Sequence, residues 1–218
     1  MQKRMRFTWM GALAWFFLII TTVLSLFPMY WLFVNALTPI YSSPPLTPIL
    51  WPAFKLDNIQ RLLTQGSPYY LRWMLNSVVI AMAVTAWHIV FDSMAGYAFA
   101  KMNFPGKNAL FLVVLMTLMV PFAATLIPLF IIVRDLKLTN TYLGLILPAL
   151  ANPIGIFMMR QFIESLPGDL ENAARLDGCS DWQIFTRVIL PLMRPGLDVL
   201  GHLIFMNQWT SDLCPPVI

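Results

Sequence analysis

The chain has 218 residues, of which 59% are hydrophobic and only 11% are charged, whereas soluble domains carry about 25% charged residues. The mean hydropathy is +0.71, and so few polar side chains do not cover this much apolar surface in water. A soluble globular protein is therefore excluded. The 14 Lys and Arg residues against 10 Asp and Glu residues are scattered along the chain, which excludes a nucleic-acid-binding face.

Charge-free stretches divide the chain into candidate membrane spans, because a helix needs about 20 apolar residues to cross a bilayer. No charged residue occurs from Phe7 to Phe54, and the first span is predicted over residues 9–34. Further spans are predicted over residues 73–100, 109–133, 138–159 and 197–218. Prolines inside spans are tolerated where neighbouring helices satisfy the freed backbone groups. The predicted fold class is an all-α, polytopic transmembrane helical bundle of about five spans, in a single domain over residues 1–218.

The basic residues orient these spans in the cell membrane. With the N-terminus in the cytoplasm, nine Lys and Arg residues lie inside and five lie outside, which satisfies the positive-inside rule. The first stretch is longer than the roughly 7–15 apolar residues of a secretory signal peptide, which favours an uncleaved anchor. This topology makes residues 160–196 the longest cytoplasmic segment. It also places Cys179 and Cys214 on opposite sides of the bilayer, where they do not pair.

Local signals in the cytoplasmic segment predict a short helix from Asp169 to Leu176. Acidic residues favour the N-terminal end of a helix dipole, and Asp169 and Glu171 occupy that first turn. Gly178 follows directly and is placed to end the helix in the left-handed conformation.

A second short helix is predicted to start at once, because Ser180 and Gln183 form a capping-box pattern. Its apolar stripe consists of Ile184, Phe185, Val188 and Ile189. The two helices would make a compact knob with Leu170, Ala173 and Ala174 exposed. These exposed residues suit either a groove on a partner protein or an amphipathic loop lying along the membrane surface.

The same segment resembles a known family. Glu171-Asn172-Ala173-Ala174, three further residues, Gly178 and then Leu190-Pro191 resemble the "EAA" loop of binding-protein-dependent ABC importer permeases. Other motifs are similar to the carbohydrate-importer branch with the maltose-type permeases. These are Arg72-Trp73-x-Leu75-Asn76-Ser77, Phe104-Pro105-Gly106-Lys107-Asn108, Leu126-Ile127-Pro128-Leu129 and Asn140-Thr141-Tyr142-Leu143-Gly144. The resemblance runs from about residue 12 to residue 197.

The resemblance implies a function for the loop. The loop helix of this family docks in a groove on an ATP-binding subunit and transmits its closure to the spans. The implied coupling residues are Leu170, Glu171, Asn172, Ala173, Ala174, Asp177 and Gly178. The implied activity is import of a sugar or sugar-like solute by alternating access, without a cofactor.

The resemblance also implies partners. They are ATP-binding cassette ATPase subunits, a homologous partner permease and an extracytoplasmic solute-binding protein, which the proline-rich residues 39–68 would face. The chain itself has no G-x-x-x-x-G-K-[ST] phosphate loop, so ATP hydrolysis is expected on the ATPase subunits and not on this chain.

The sequence departs from the family pattern at three places. Asn172 stands where the E-A-A pattern has Glu, although Glu171 lies one residue earlier. Trp209 and Pro215 keep the spacing of a Trp-Asn-Asp/Glu-Phe-x-x-Pro run, but the residues between them differ. Family members continue further, so this sequence is expected to lack the family's C-terminal portion. An inactive truncated permease fragment is therefore one alternative to the implied function.

Polar residues inside the predicted spans suggest several roles. Asp92 lies in the second span, with His88 one helical turn earlier. A charge at the bilayer centre costs at least about 2.5 kcal/mol, so such residues face a cavity or a partner. Asp92, His88 and Trp209 are candidates for a solute pathway. Alternatively, the His–Asp pair couples ion movement in a secondary transporter, or it is simply hydrogen-bonded within the bundle.

The last predicted span is the weakest of the five. It contains Asp198, His202, Asn207, Gln208 and Asp212. Asp198 and His202 repeat the four-residue spacing of His88 and Asp92, but they lie close to the predicted membrane surface, where a polar side chain is inexpensive. Neither pair has enough ligands for a metal site.

Overall fold

The computed structural model describes residues 9–39, 50–64 and 69–211, and these residues form helices and connecting loops without strands. The chain divides into two compact units, residues 1–71 and residues 72–218. Several residues on which the sequence predictions rest lie outside the described residues. They are Lys3, Arg4, Arg6, Asp212, Cys214 and Pro215.

The first unit contains the long helix α1 (Trp9–Ala36) and the short helix α2 (Asp57–Thr64). The last carbonyls of a helix have no backbone donor within the helix. Here the side-chain amide of Asn58 donates to the carbonyls of Asn35 at 3.0 Å and Thr38 at 2.7 Å. The first turn of α2 is therefore held against the end of α1 by one side chain.

The second unit begins within α3 (Tyr70–Lys101), the longest helix described. The helices that follow are α4 (Lys107–Leu118), α5 (Phe122–Asp135), α6 (Tyr142–Ala149), α7 (Ile154–Glu164), α8 (Asp169–Leu176), α9 (Asp181–Leu192) and α10 (Arg194–Trp209). Helices α1 and α3 are each long and apolar enough to cross a membrane. The pairs α4–α5, α6–α7 and α9–α10 reach that length only together, and they are bent by 97°, 43° and 76°. The all-α, multi-span fold class is confirmed.

Prolines mark the three bends. Pro121 precedes α5, Pro153 precedes α7, and Pro195 lies in the first turn of α10. Proline has no N–H and its ring clashes with the preceding turn, so a helix ends before it but starts readily at it. The stretch predicted as one helix over residues 109–133 consequently ends at Leu118 and resumes at Phe122.

The buried core of the second unit lies where α3 meets α7, α8, α9 and α10. It consists of Ile80, Val84, Tyr97, Met159, Ile163, Ala174, Ile184, Phe185, Ile189, Met193, Leu200 and Ile204. Gly96 of α3 lies close to the backbone of α7. A Cβ atom added there would lie 2.6 Å from the Cβ of Met159 and 2.9 Å from the backbone nitrogen of Arg160. Glycine at this position lets α3 and α7 pack without an intervening side chain.

We predict that Gly96→Ala lowers the stability of the detergent-solubilised protein by about 1–3 kcal/mol, because an overpacked helix contact forces the backbones apart. Gly201→Ala in α10 is the matched control, since its added Cβ would meet the flexible end of Ile89 at 3.3 Å and the methyl carbon of Thr85 at 3.8 Å. Thermal unfolding of both variants is the measurement. Equal unfolding midpoints for the two variants would contradict the close packing of α3 on α7.

Candidate functional site

Helix α8 and its connection to α9 have the local geometry that the sequence predicts. The helix spans Asp169–Leu176, and Gly178 has φ of 80°. The N–H of Gly178 donates to the carbonyl of Arg175 at 3.1 Å, and the N–H of Cys179 donates to the carbonyl of Ala174 at 3.0 Å. These two bonds form a Schellman motif, which closes a helix at a left-handed glycine. The capping box of Ser180 and Gln183 then starts α9, so both terminus predictions are confirmed.

The two faces of α8 differ in exposure. Leu170 is 43% exposed, Leu176 is 89% exposed, and Ala173 is also exposed. Glu171 and Ala174 are buried, at 6% and 8% exposure. The prediction that Ala174 is exposed is wrong: residues three apart share one helix face, and the face of Glu171 and Ala174 is turned to the core. Asn172, Asp177 and Gly178 lie on the exposed side.

The inward face of α8 is tied to the end of α3 by an ion pair. The Lys101 ammonium lies 3.0 Å from Glu171 Oε1 and donates to the carbonyl of Leu166 at 3.1 Å. The two side chains are only 15% and 8% exposed. The Glu171 carboxylate therefore pairs within the chain. It does not supply an acidic group on the outer face of α8, where Asn172 stands in place of the family's Glu.

Helix α9 packs its predicted apolar stripe into the core, with Ile184, Phe185 and Ile189 buried. Its middle is a π turn, Phe185–Ile189, in which the N–H of Leu190 reaches back to the carbonyl of Phe185. Sequence reasoning predicted a regular α-helix here. The available signal was Pro191, whose ring clashes with the carbonyl four residues earlier in a regular α-helix and so favours the wider turn.

The His88–Asp92 pair lies inside the bundle. The Nδ1 atom of His88 is 2.7 Å from Asp92 Oδ2, and its Nε2 atom is 3.1 Å from the carbonyl oxygen of Ala149. The two residues are only 1% and 4% exposed. These contacts favour a hydrogen-bonded pair within the bundle over a solute-facing pair. Trp209 lies elsewhere, on α10, where it is 38% exposed and stacks on Phe205 with the ring centroids 6.0 Å apart.

The exposed face of α10 forms an open groove of about 720 Å³. Its lining residues are Asp198, Val199, His202, Leu203, Met206, Asn207 and Thr210. Within residues 9–39, 50–64 and 69–211, no group of three or more His, Cys, Asp or Glu side chains is placed to hold a metal ion.

The sequence is similar to known transport proteins. Residues 92–209 match the family described as binding-protein-dependent transport system inner membrane component. The arabinooligosaccharides transport system permease protein AraQ of Bacillus subtilis (strain 168) is 36% identical over 212 residues, which cover 95% of this chain and 74% of that protein. The AraQ protein of Halalkalibacterium halodurans is 40% identical over 184 residues, which cover 84% of this chain but only 63% of that protein.

A solved structure has the same fold. The crystal structure of a bacterial ABC transporter involved in the import of the acidic polysaccharide alginate superimposes with a TM-score of 0.74 at 25% sequence identity. The match covers 93% of this chain and 71% of that chain. The chain described here thus spans from 63% to 74% of the length of these proteins.

We predict that Lys101→Met and Glu171→Gln each lower the unfolding free energy by about 3–5 kcal/mol, because each leaves its partner's charge buried and unpaired. The double variant is expected to lose less than the sum of the two single variants. Asp135→Asn is the control, because its ion pair with Arg134 has side chains 59% and 62% exposed and contributes at most about 1 kcal/mol. Additive losses in the double variant would show that the pair does not form.

Proposed function

We propose that this chain, which belongs to the family of binding-protein-dependent transport system inner membrane components, is the membrane-spanning permease subunit of an ABC importer. We further propose a sugar or sugar-like solute as its cargo. Two relatives are named as permeases for arabinooligosaccharides, and the transporter of similar fold imports alginate. The observation that carries the proposal is α8, a capped helix with one face fixed in the core and the other face exposed.

The exposed face of α8 is suited to a groove on an ATP-binding cassette ATPase subunit. Leu170 and Leu176 project from it as apolar anchors at 43% and 89% exposure, and Ala173 adds a small exposed side chain. An amphipathic helix binds such a groove through apolar residues at helical spacing. With Asn172 in place of the family's Glu, this contact depends on shape and apolar burial more than on charge.

The opposite face of α8 provides the route by which movement reaches the spans. Glu171 pairs with Lys101 at the end of α3, and Ala174 belongs to the same buried core as Tyr97 of α3 and Ile163 of α7. A displacement of α8 therefore acts on α3 and α7 through rigid, close-packed contacts. Closure of the ATPase subunits then drives the spans between inward-facing and outward-facing states, and ATP hydrolysis supplies the free energy from outside this chain.

The remaining partners follow from the same proposal. A homologous permease completes the pathway across the membrane, and an extracytoplasmic solute-binding protein delivers the solute to the outer side. Residues 39–68 are proposed to face that binding protein. This segment is rich in proline, and the structure describes only residue 39 and residues 50–64 of it.

The alternative of an ion-coupled secondary transporter assigns proton movement to Asp92 and His88. Both ring nitrogens of His88 are within hydrogen-bonding distance of partners in the chain, and Asp92 is 4% exposed. A proton-transfer site needs access to water on at least one side of the membrane. The burial of the pair therefore supports the ABC importer over this alternative.

We predict that Ala173→Asp and Gly178→Pro uncouple transport from ATP hydrolysis. The Asp side chain places an unpaired carboxylate in an apolar contact, and Pro does not adopt the φ of 80° at position 178. In proteoliposomes with the partner subunits, solute uptake is expected to fall more than tenfold, equivalent to at least about 1.4 kcal/mol of coupling free energy. ATP hydrolysis is expected to persist.

The matched control is Asn103→Asp, which adds the same charge at an exposed position of the turn between α3 and α4. Its uptake is expected to equal that of the unmodified protein. Normal uptake with Ala173→Asp or with Gly178→Pro would overturn the assignment of α8 as the coupling helix.

A further inference from the structure

The break between α6 and α7 leaves the backbone carbonyl of Ala149 without its helical donor. Helix α6 ends at Ala149, α7 starts at Ile154, and the two are bent by 43°. In a continuous helix the Ala149 carbonyl would accept from the N–H of residue 153. That residue is Pro153, which has no N–H. An unsatisfied carbonyl inside a membrane span is expensive, because lipid offers no donor.

His88 supplies the missing donor from α3. Its Nε2 atom lies 3.1 Å from the Ala149 carbonyl oxygen. A carbonyl oxygen only accepts hydrogen bonds, so this ring nitrogen carries a proton. The other nitrogen, Nδ1, lies 2.7 Å from Asp92 Oδ2, and one proton must lie between these two atoms. Wherever that proton resides, the His88–Asp92 pair has no net charge, and a neutral pair costs less free energy to bury in hydrocarbon than a charged one.

Asp92 contacts the other side of the break. A Cβ atom added at Gly155, in the first turn of α7, would lie 1.7 Å from Asp92 Oδ2. The carboxylate is therefore packed directly against the backbone of α7, near the N-terminal end of a helix, where the dipole favours a negative group. Together, one pair of side chains on α3 contacts the last residue of α6 and the first turn of α7.

We propose that His88 and Asp92 form a clamp that replaces the hydrogen bond lost at Pro153 and fixes the bend between α6 and α7. The His88–Asp92 clamp positions the two half-helices and touches no solute. Helix α7 leads into α8 through only four residues, 165–168. The clamp therefore sets the position from which α8 moves. Only this last consequence, the effect on transport, rests on the proposed function.

The first test is a double-mutant cycle between His88 and Pro153. His88→Leu removes the donor, and Pro153→Ala returns a backbone N–H to the Ala149 carbonyl. The loss in unfolding midpoint caused by His88→Leu is expected to be clearly smaller in the Pro153→Ala background. Pro148→Ala is the matched control, because Pro148 lies within α6 and its missing N–H concerns the carbonyl of Gly144. If His88→Leu lowers the unfolding midpoint equally in the unmodified protein, in Pro153→Ala and in Pro148→Ala, the proposal is overturned.

The second test measures the bend itself and separates positioning from general stability. Spin labels are placed at the exposed positions Leu143 of α6 and Gln161 of α7, in the full chain with Cys179 and Cys214 changed to Ser and reconstituted in nanodiscs. His88→Gln carries an amide nitrogen near the position of Nε2, whereas His88→Asn carries one only near Nδ1. The label-to-label distance distribution is expected to stay narrow with Gln and to broaden with Asn.

Indistinguishable distance distributions for His88→Gln and His88→Asn would overturn the proposed clamp. This test does not depend on whether His88→Leu inserts stably. The same two variants are then assayed with the partner subunits, where Asn is expected to reduce uptake and Gln to retain most of it. If the distance result holds and the two variants transport alike, the clamp stands and its proposed link to transport fails. The two failures are therefore distinguishable.

Discussion

Inside a bilayer every backbone polar group must find its partner within the protein, and this constraint explains the arrangement around α3. Three bends interrupt the helices of the second unit, and each bend removes backbone hydrogen bonds. Helix α3 is unbroken over 32 residues. It supplies a hydrogen-bond donor at one of these bends, because His88 reaches the carbonyl that Pro153 leaves without a donor. A continuous helix thus stabilises a broken one.

The contacts of α3 succeed one another toward its C-terminal end. His88 and Asp92 contact the break between α6 and α7, Gly96 lies against the backbone of α7, and Lys101 pairs with Glu171 of α8. Residues four apart on a helix lie on the same face, so His88, Asp92 and Gly96 form a single line, and Lys101 lies five residues further along the helix. We infer that α3, α7 and α8 move together, because each contact is either buried and polar or too close for any side-chain rearrangement.

Sequence reasoning predicted the features that depend on local signals. The bounds of α8, the left-handed Gly178 and the capping box of Ser180 and Gln183 depend on residues within about one helical turn, and the structure has each of them. The apolar stripe of α9 was predicted because periodicity reports which face is buried.

The features that sequence reasoning missed depend on residues far apart in the chain. The Lys101–Glu171 pair joins residues 70 positions apart, and the spacing of charges gave no reason to connect them. Ala174 was predicted to be exposed because alanine next to polar residues carries no strong signal of burial. It is buried in the same core cluster as Ile184 and Phe185 of the next helix. The π turn before Pro191 is different, since the proline itself was a signal. His88 was recognised as a partner of Asp92, but its second partner, Ala149, is 61 residues away.

The most direct test of this account is the energy source of uptake. The chain is reconstituted in proteoliposomes with its partner permease, ATPase subunits and solute-binding protein, and uptake of a labelled oligosaccharide is measured with ATP inside the vesicles, without ATP, and with a protonophore. The account predicts uptake that requires ATP and is unchanged by the protonophore. Uptake that persists without ATP and collapses with the protonophore would contradict it and would favour the ion-coupled secondary transporter.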